Sequence, residues 1–274
     1  MSQASSDSLH FVEYGEGVPL LAIHGWTPDH RLMTGCLEPL FSARPGWRRL
    51  YPDLPGMGSS PAPESINSSD DILAALENFI DEQIGDRPFA LAGESYGGYL
   101  ARAIAGARRD QVIGLALICP IGTELDPAKR HVPAHEVIAP DPELMAGLSA
   151  DQADRFGPMA VVQSAETLRR FQTEVEPGLD AANLAAMERI RERWELRESP
   201  EAGAAYPGPS VIITGRQDSS TGYADTYSLL DHYPRATFAV LDRAGHNAQI
   251  EQPDLFNALI GEWLNRVEEA LALG

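Results

Sequence analysis

Cysteine, basic residues and long apolar runs are all scarce in this chain, and each shortage removes a class of protein. Only Cys36 and Cys119 occur in 274 residues, so a disulfide framework is not expected. One falls in a helix-like stretch and the other at the end of a strand-like one, the usual setting of small buried hydrophobes. Lysine and arginine number 21 against 40 acidic residues, a formal charge of −19. Phosphate backbones and anionic membranes are bound by clustered cations, so neither nucleic acid nor a membrane is an expected partner. No apolar run approaches the roughly 18 residues of a membrane span. Residues 1–8 lack the basic start and apolar core of a secretory signal. The expectation is a cytoplasmic protein, monomer or homodimer, that acts on a small molecule.

What is present, 43% hydrophobic and 22% charged residues, suits a globular chain able to bury one large core. Val18–Ile23 is a near-continuous apolar run, as a strand covered on both faces requires. Runs at 47–51, 88–92, 112–118, 209–214 and 237–241 read as further strands, and 9–14 as an outer one. Helix-like stretches lie between them at 31–43, 68–84, 99–105 and 253–271. The second is capped by Ser68 and carries Ile72, Leu73, Leu76, Phe79 and Ile80 on one face. Strands alternating with helices predict an α/β fold with a parallel, doubly wound sheet. The alternation stops at Pro120 and resumes at Pro209. The intervening stretch is loop-like through Pro142, then helical, with Leu184, Met187, Ile190 and Trp194 three to four residues apart. This divides the chain into a core, residues 1–120 and 208–274, and an inserted, mainly helical cap, residues 121–207.

Gly93-Glu94-Ser95-Tyr96-Gly97-Gly98 joins the strand at 88–92 to the helix at 99–105. A serine between glycines in a strand-to-helix turn is a nucleophile elbow, which lifts the hydroxyl above the sheet edge at a helix N-terminus. A serine hydroxyl attacks a carbonyl only when a base takes its proton, and the base needs an acid to fix its tautomer. His246, in the loop after the last strand, is the candidate base. Asp218, just past the strand ending at Thr214, is the candidate acid, with Asp126 and Glu124 as fallbacks. The developing oxyanion needs two main-chain N–H groups: Tyr96, following the nucleophile, and Trp26, in His24-Gly25-Trp26. His24 is read as shaping that loop rather than moving protons.

These residues resemble the α/β-hydrolase superfamily, particularly its capped branch of esterases, C–C hydrolases and proline iminopeptidase-like enzymes. The resemblance spans nearly the whole chain: His24-Gly25-Trp26, the 53–58 turn Asp-Leu-Pro-Gly-Met-Gly, the elbow, Gly215-Arg216-Gln217-Asp218 and Gly245-His246. It implies a mostly parallel sheet of the eight-stranded type flanked by helices, a triad of Ser95, Asp218 and His246, an oxyanion hole at Trp26 and Tyr96, and no metal or organic cofactor. Glu94 departs from the histidine or other polar residue that relatives often carry before the nucleophile, and is read as a buried neighbour rather than a second acid. Serine at 95, where dehalogenases of this fold carry aspartate, argues against haloalkane chemistry.

The expected function is hydrolysis of a small or medium carboxylic ester through an acyl-enzyme. C–C bond hydrolysis or amide or N-terminal peptide cleavage by the same triad remains open, as does a ligand-binding member without turnover. Met145, Phe156, Met159, Met187 and Trp194 are the candidates for lining an apolar acyl pocket, with packing against the main domain as the commoner fate of such side chains. Trp26, Tyr96, Met159 and Trp194 are taken as the substrate-facing residues. His131 and His135 have a zinc-like spacing, but Pro133 breaks the helix that would present them. Arg130 and Arg155 are the arginines considered for a substrate carboxylate. Arg169, Arg170, Arg189, Arg191 and Arg193, interspersed with glutamates, read as a solvated helix face.

Overall fold

Strands with apolar residues at every position have to be covered on both faces, and the chain meets that demand with helices on either side of one sheet. The computed structural model describes residues 8–273; residues 1–7, which carry most of the segment tested for a secretory signal, lie outside it. The strands are β1 (Phe11–Tyr14), β2 (Val18–Ile23), β3 (Trp47–Pro52), β4 (Phe89–Glu94), β5 (Val112–Ile118), β6 (Ser210–Gly215) and β7 (Ala236–Leu241). They form a sheet of order β1-β3-β2-β4-β5-β6-β7, parallel except for β1 against β3. The doubly wound, mostly parallel sheet is therefore present. It holds seven strands rather than eight among the described residues, because a single antiparallel strand precedes β2.

The helices of the main layer are α1 (His30–Phe41), α2 (Ser69–Gln83) and α3 (Tyr96–Ala107). Five more, α4 (Pro142–Ala146), α5 (Ala150–Phe156), α6 (Ala165–Glu174), α7 (Glu176–Ala181) and α8 (Leu184–Arg191), lie in the segment between β5 and β6. Two short helices, α9 (Ala224–Tyr227) and α10 (Ala248–Glu251), precede the long α11 (Pro253–Leu273). No helix among the described residues is long and apolar enough to cross a membrane.

Successive strand residues point to opposite faces, and the core divides accordingly. Leu21, Ile23, Leu91, Leu115 and Leu117 pack with Leu76 and Phe79 of α2 and Leu100 and Ile104 of α3. Leu20, Ala22, Ala90, Ala116 and Ile213 face the other way, against Met33 and Leu37 of α1 and Phe256, Ile260 and Trp263 of α11. Fully burying a leucine, isoleucine or phenylalanine contributes roughly 1.5–3 kcal/mol, so the two layers hold the central strands β2, β4, β5 and β6 against their covering helices. A third, smaller cluster joins Phe156, Phe171 and Val175 of the inserted segment to Leu32 and Ile250.

Two expectations about the inserted segment are corrected. The helix carrying Leu184, Met187 and Ile190 ends at Arg191, and Trp194 lies beyond it. Here the chain is held against the start of α2, where Ser69 N–H donates to Arg193 O at 3.0 Å and Ser69 Oγ to Trp194 O at 2.6 Å. These contacts compete with helical continuation. Nor do all the arginines of this segment face solvent. Arg170 is buried, pairing with Glu174 at 2.7 Å and donating to Gln249 O at 2.8 Å, because α6 packs on α1. Arg189 donates to the carbonyls of Ala62, Pro63 and Ile66.

The turn after β3 is built on Asp53, whose side chain is fully buried. Its carboxylate accepts from His10 Nδ1 at 2.7 Å, His30 Nδ1 at 2.8 Å, and the N–H groups of His30 and Ser59, each at 2.9 Å. Burial pushes this carboxyl up, but the hydrogen bonds from His30 and Ser59 prevail and hold it well below the ordinary range. A depressed carboxyl stabilises the fold fully above its unfolded pKa of about 4, and that contribution is lost as pH falls. Asp53→Ala is expected to cost about 3 kcal/mol at neutral pH by leaving these donors without an acceptor. Denaturant melts at pH 7 and pH 3.5 check this: the difference between variant and parent is expected to shrink at the lower pH.

Candidate active site

The turn from β4 to α3 is tight enough to dictate its own residues. A Cβ placed on Gly93 would lie 2.4 Å from Gly97 O, and one on Gly97 would lie 2.4 Å from the carbonyl oxygens of Ile23 and His24. Both obstacles are main chain, so only glycine fits at either position. Between them Ser95 takes φ 52° and ψ −114°, a conformation rare outside glycine. Its N–H donates to Ile118 O at 2.9 Å, and its Oγ stands at the start of α3.

The structure brings together Ser95, His246 and Asp218. Ser95 Oγ lies 3.0 Å from His246 Nε2, and His246 Nδ1 lies 3.0 Å from Asp218 Oδ2. Asp218 is fully buried and also accepts from Ser220 N–H at 2.8 Å, Thr221 N–H at 3.0 Å and Thr221 Oγ1 at 2.7 Å. Burial alone pushes Asp218 up, but His246 and Thr221 reverse this and leave it at about 2. An ionised Asp218 only accepts hydrogen bonds. The imidazole therefore keeps a proton on Nδ1, and in its neutral form offers the Nε2 lone pair to the serine hydroxyl. Burial alone depresses His246, but the charge and hydrogen bond of Asp218, with Glu94 added, raise it to about 9.

Three positioning contacts escaped the sequence reading. Gln217 joins the Asp218 and His246 loops, with Nε2 donating to Asp242 at 2.9 Å and Oε1 accepting from Ala244 N–H at 3.2 Å. Thr221 closes the turn around Asp218, which an aspartate followed by hydroxyl residues foreshadows. Glu251 is buried and accepts from Gly245 N–H at 2.5 Å, Val161 N–H at 2.6 Å and Val162 N–H at 3.1 Å. It thereby ties the His246 loop to the inserted segment. Burial outweighs those hydrogen bonds and raises its pKa to about 7. No local sequence signal marks Glu251, because its partners lie up to ninety residues away.

A cavity of about 870 Å³ opens over Ser95 and His246, and Trp26, Tyr96, Met159 and Trp194 all line it. Trp26 meets the Tyr96 ring edge-on at 5.1 Å, while Trp194 stacks on Tyr96 at 4.5 Å. Phe156 and Met187 are buried in separate packing clusters instead, and Met145 packs against that of Phe156. Glu124 and Asp126 reach the cavity wall. Their carboxylates serve their own loop, Glu124 accepting from Asp126 N–H at 2.9 Å and Asp126 from Ala128 N–H at 3.0 Å. His24 is buried, with Nδ1 2.7 Å from Gly25 O and Nε2 accepting from Leu54 N–H at 2.9 Å.

Two groups of potential metal ligands occur among the described residues: His10, His30 and Asp53, and Cys119, Asp218 and His246. In both, the histidine nitrogens near the carboxylate already take part in hydrogen bonds to it. His131 and His135 form no such group; His131 Nδ1 pairs with Asp225 at 2.7 Å.

Known proteins extend this picture. The chain is 26% identical over 264 residues to 2-hydroxymuconate semialdehyde hydrolase of Pseudomonas sp. (strain CF600), covering 93% of this chain and 90% of that protein. It is 26% identical over 258 residues to pimeloyl-[acyl-carrier protein] methyl ester esterase of Legionella pneumophila (strain Corby), covering 94% and 99%. Among solved structures, an alpha/beta superfamily hydrolase from Oenococcus oeni PSU-1 superposes with a TM-score of 0.87 at 29% identity, over 96% of this chain and 97% of that one. A model of the alpha/beta hydrolase family matches residues 20–259. With that match running from β2 into α11, through the elbow and both loops that meet it, the chain belongs to the alpha/beta hydrolase family.

Proposed function

We propose that the chain is a serine hydrolase that cleaves a small or medium carboxylic ester through an acyl-enzyme. The hydrogen-bonded line from Ser95 through His246 to Asp218, with both links at 3.0 Å, carries this reading. Ser95 Oγ attacks the ester carbonyl while His246 Nε2 takes its proton, and Asp218 stabilises the imidazolium that forms. The Trp26 and Tyr96 N–H groups receive the oxyanion. A Cβ on Gly25 would stand 3.1 Å from Ser95 Cβ, so the Trp26 loop runs directly beside the nucleophile. His246 then returns the proton to the leaving alcohol, and a water activated by the same nitrogen releases the acid. The segment between β5 and β6, read as a cap, restricts bulk water and selects the substrate.

A second reading, C–C hydrolysis of an anionic substrate, draws on Arg130. Its guanidinium lines the cavity and is held by the carbonyls of Glu124, Leu125 and Ser220, and it makes no ion pair among the described residues. A carboxylate beside the scissile bond would find a cation there. Arg155 plays no such part, being paired with Asp151 and Asp180 on the surface.

Ser95→Ala is expected to lower kcat for p-nitrophenyl acetate or butyrate by at least about 10³-fold, with the fold intact by circular dichroism. Turnover at the parental rate would refute the proposal. A fluorophosphonate is expected to label the parent at Ser95; a folded protein that takes no label and turns over no ester belongs to the binding class instead. A histidine accepts a proton only when neutral, and His246 is raised to about 9. The acid limb of kcat/KM is therefore expected in the alkaline range, with activity rising as pH increases through it. A rate–pH profile with its limb near 6.5 would contradict that electrostatic picture.

A further inference from the structure

Glu94, the last residue of β4, is 2% exposed. Its Oε1 lies 3.4 Å from His246 Nε2, the same nitrogen that faces Ser95 Oγ at 3.0 Å. The Gly25 N–H is the main-chain group that favours the charged form of Glu94. A Cβ on Gly25 would fall 2.1 Å from Glu94 Oε2, so the carboxyl occupies the space a side chain at 25 would need. No arginine or lysine pairs with Glu94 among the described residues. The catalytic imidazole is thus flanked by two carboxyl groups, Asp218 on Nδ1 and Glu94 on Nε2.

We propose that Glu94 is a positioning residue that shares one proton with His246, and that this proton has to leave before His246 can accept the hydrogen of Ser95. The proposal rests on the reading of Ser95, His246 and Asp218 given above. With Nδ1–H donated to Asp218, a neutral imidazole presents a lone pair at Nε2, and an ionised Glu94 facing that lone pair is repelled. One added proton removes the repulsion in either of two ways. It sits on Nε2, giving an imidazolium between two carboxylates, or on Glu94, which then donates its O–H to Nε2. In both arrangements Nε2 is unavailable to Ser95, and the pair titrates as a unit.

The groups facing this pair support the assignment. Cys119, at the end of β5, and Cys36, on α1, interact with Glu94, but burial pushes both thiols up and keeps them neutral. Arg130 acts on His246 from the cavity wall and opposes its protonation. Asp218 disfavours a negative charge on Glu94. Burial is the largest influence on Glu94, and against the opposing charge of His246 it still raises the carboxyl to about 7.

Once the shared proton has left, catalysis proceeds from ionised Glu94 and neutral His246. As the Ser95 Oγ–H bond breaks and the Oγ–carbonyl bond forms, the proton moves to Nε2. The resulting imidazolium lies between two carboxylates. Glu94 therefore suppresses the competent base near neutrality and stabilises the charged base in the transition state.

Glu94→Gln tests both effects, since it keeps an acceptor for Gly25 N–H and removes the charge. Profiles of kcat/KM against pH for a p-nitrophenyl ester are expected to coincide on the acid limb and to separate above it. In the variant the midpoint of that limb moves down by about one pH unit and the alkaline plateau falls about tenfold, with KM little changed. A midpoint that stays in place, with the whole profile scaled uniformly, would overturn the proposal. If Glu94→Gln does not fold, Glu94→Asp withdraws the charge from Nε2 and is expected to move the midpoint in the same direction; an unmoved midpoint there has the same negative force. Ser95→Ala run alongside separates the two layers of inference. An active Ser95→Ala defeats the triad reading itself, whereas an inactive one beside an unmoved Glu94→Gln midpoint defeats only the role of Glu94.

Discussion

Everything at the site depends on how closely β4 and α3 approach each other around Ser95. The Gly93 and Gly97 main chains come too near other backbone for any side chain, and the residue between them is driven to positive φ. Such a conformation is costly for a residue with a Cβ, on the order of 1–3 kcal/mol, and persists only where the surroundings over-determine it. Here they do: β4 is buried along its whole length between β2 and β5, and α3 is clamped to the sheet by Leu100 and Ile104. A rigid scaffold therefore fixes the hydroxyl, and the loops after β6 and β7 bring the other groups to it.

Those loops carry the electrostatic character of the site. Asp218, Glu94 and Glu251 are all at least nine-tenths shielded from solvent, yet their environments push them apart. Asp218 has four hydrogen-bond donors and stays ionised. Glu94 has one main-chain donor and an imidazole, and burial governs it. Glu251 accepts three main-chain N–H groups and is still raised. All three are deeply buried, so what separates them is their partners: His246 and Thr221 outweigh burial at Asp218, whereas burial prevails at the two glutamates.

Glu251 and Arg170 also show how the inserted segment is coupled to the chemistry. Both reach the stretch that carries His246 into α10, one at Gly245 N–H and the other at Gln249 O. A displacement of the inserted helices would be felt at the imidazole without any change in the sheet. The cavity that faces Ser95 is walled partly by this segment, through Met159 and Trp194.

Much of the architecture was legible along the chain because it rests on local rules. Apolar runs of strand length, a capping serine at 68 and glycines flanking a serine each carry their meaning within a few residues. The order of serine, acid and histidine placed all three at the ends of parallel strands, hence at one edge of one sheet. What local pattern misjudged were residues whose partners are distant in sequence: Arg170 drawn inward by α1, Trp194 held out of a helix by Ser69, and Glu251 reaching across the insertion. The sequence by itself determined the doubly wound core, the elbow and the identity of three groups able to form a triad, since periodicity and steric limits act over neighbouring residues. Only the tertiary structure decided the 3.0 Å spacings among them and the placing of Glu94 against the far side of the imidazole. Distances between loops, and the burial that sets a carboxyl group's proton affinity, exist only once the chain has folded.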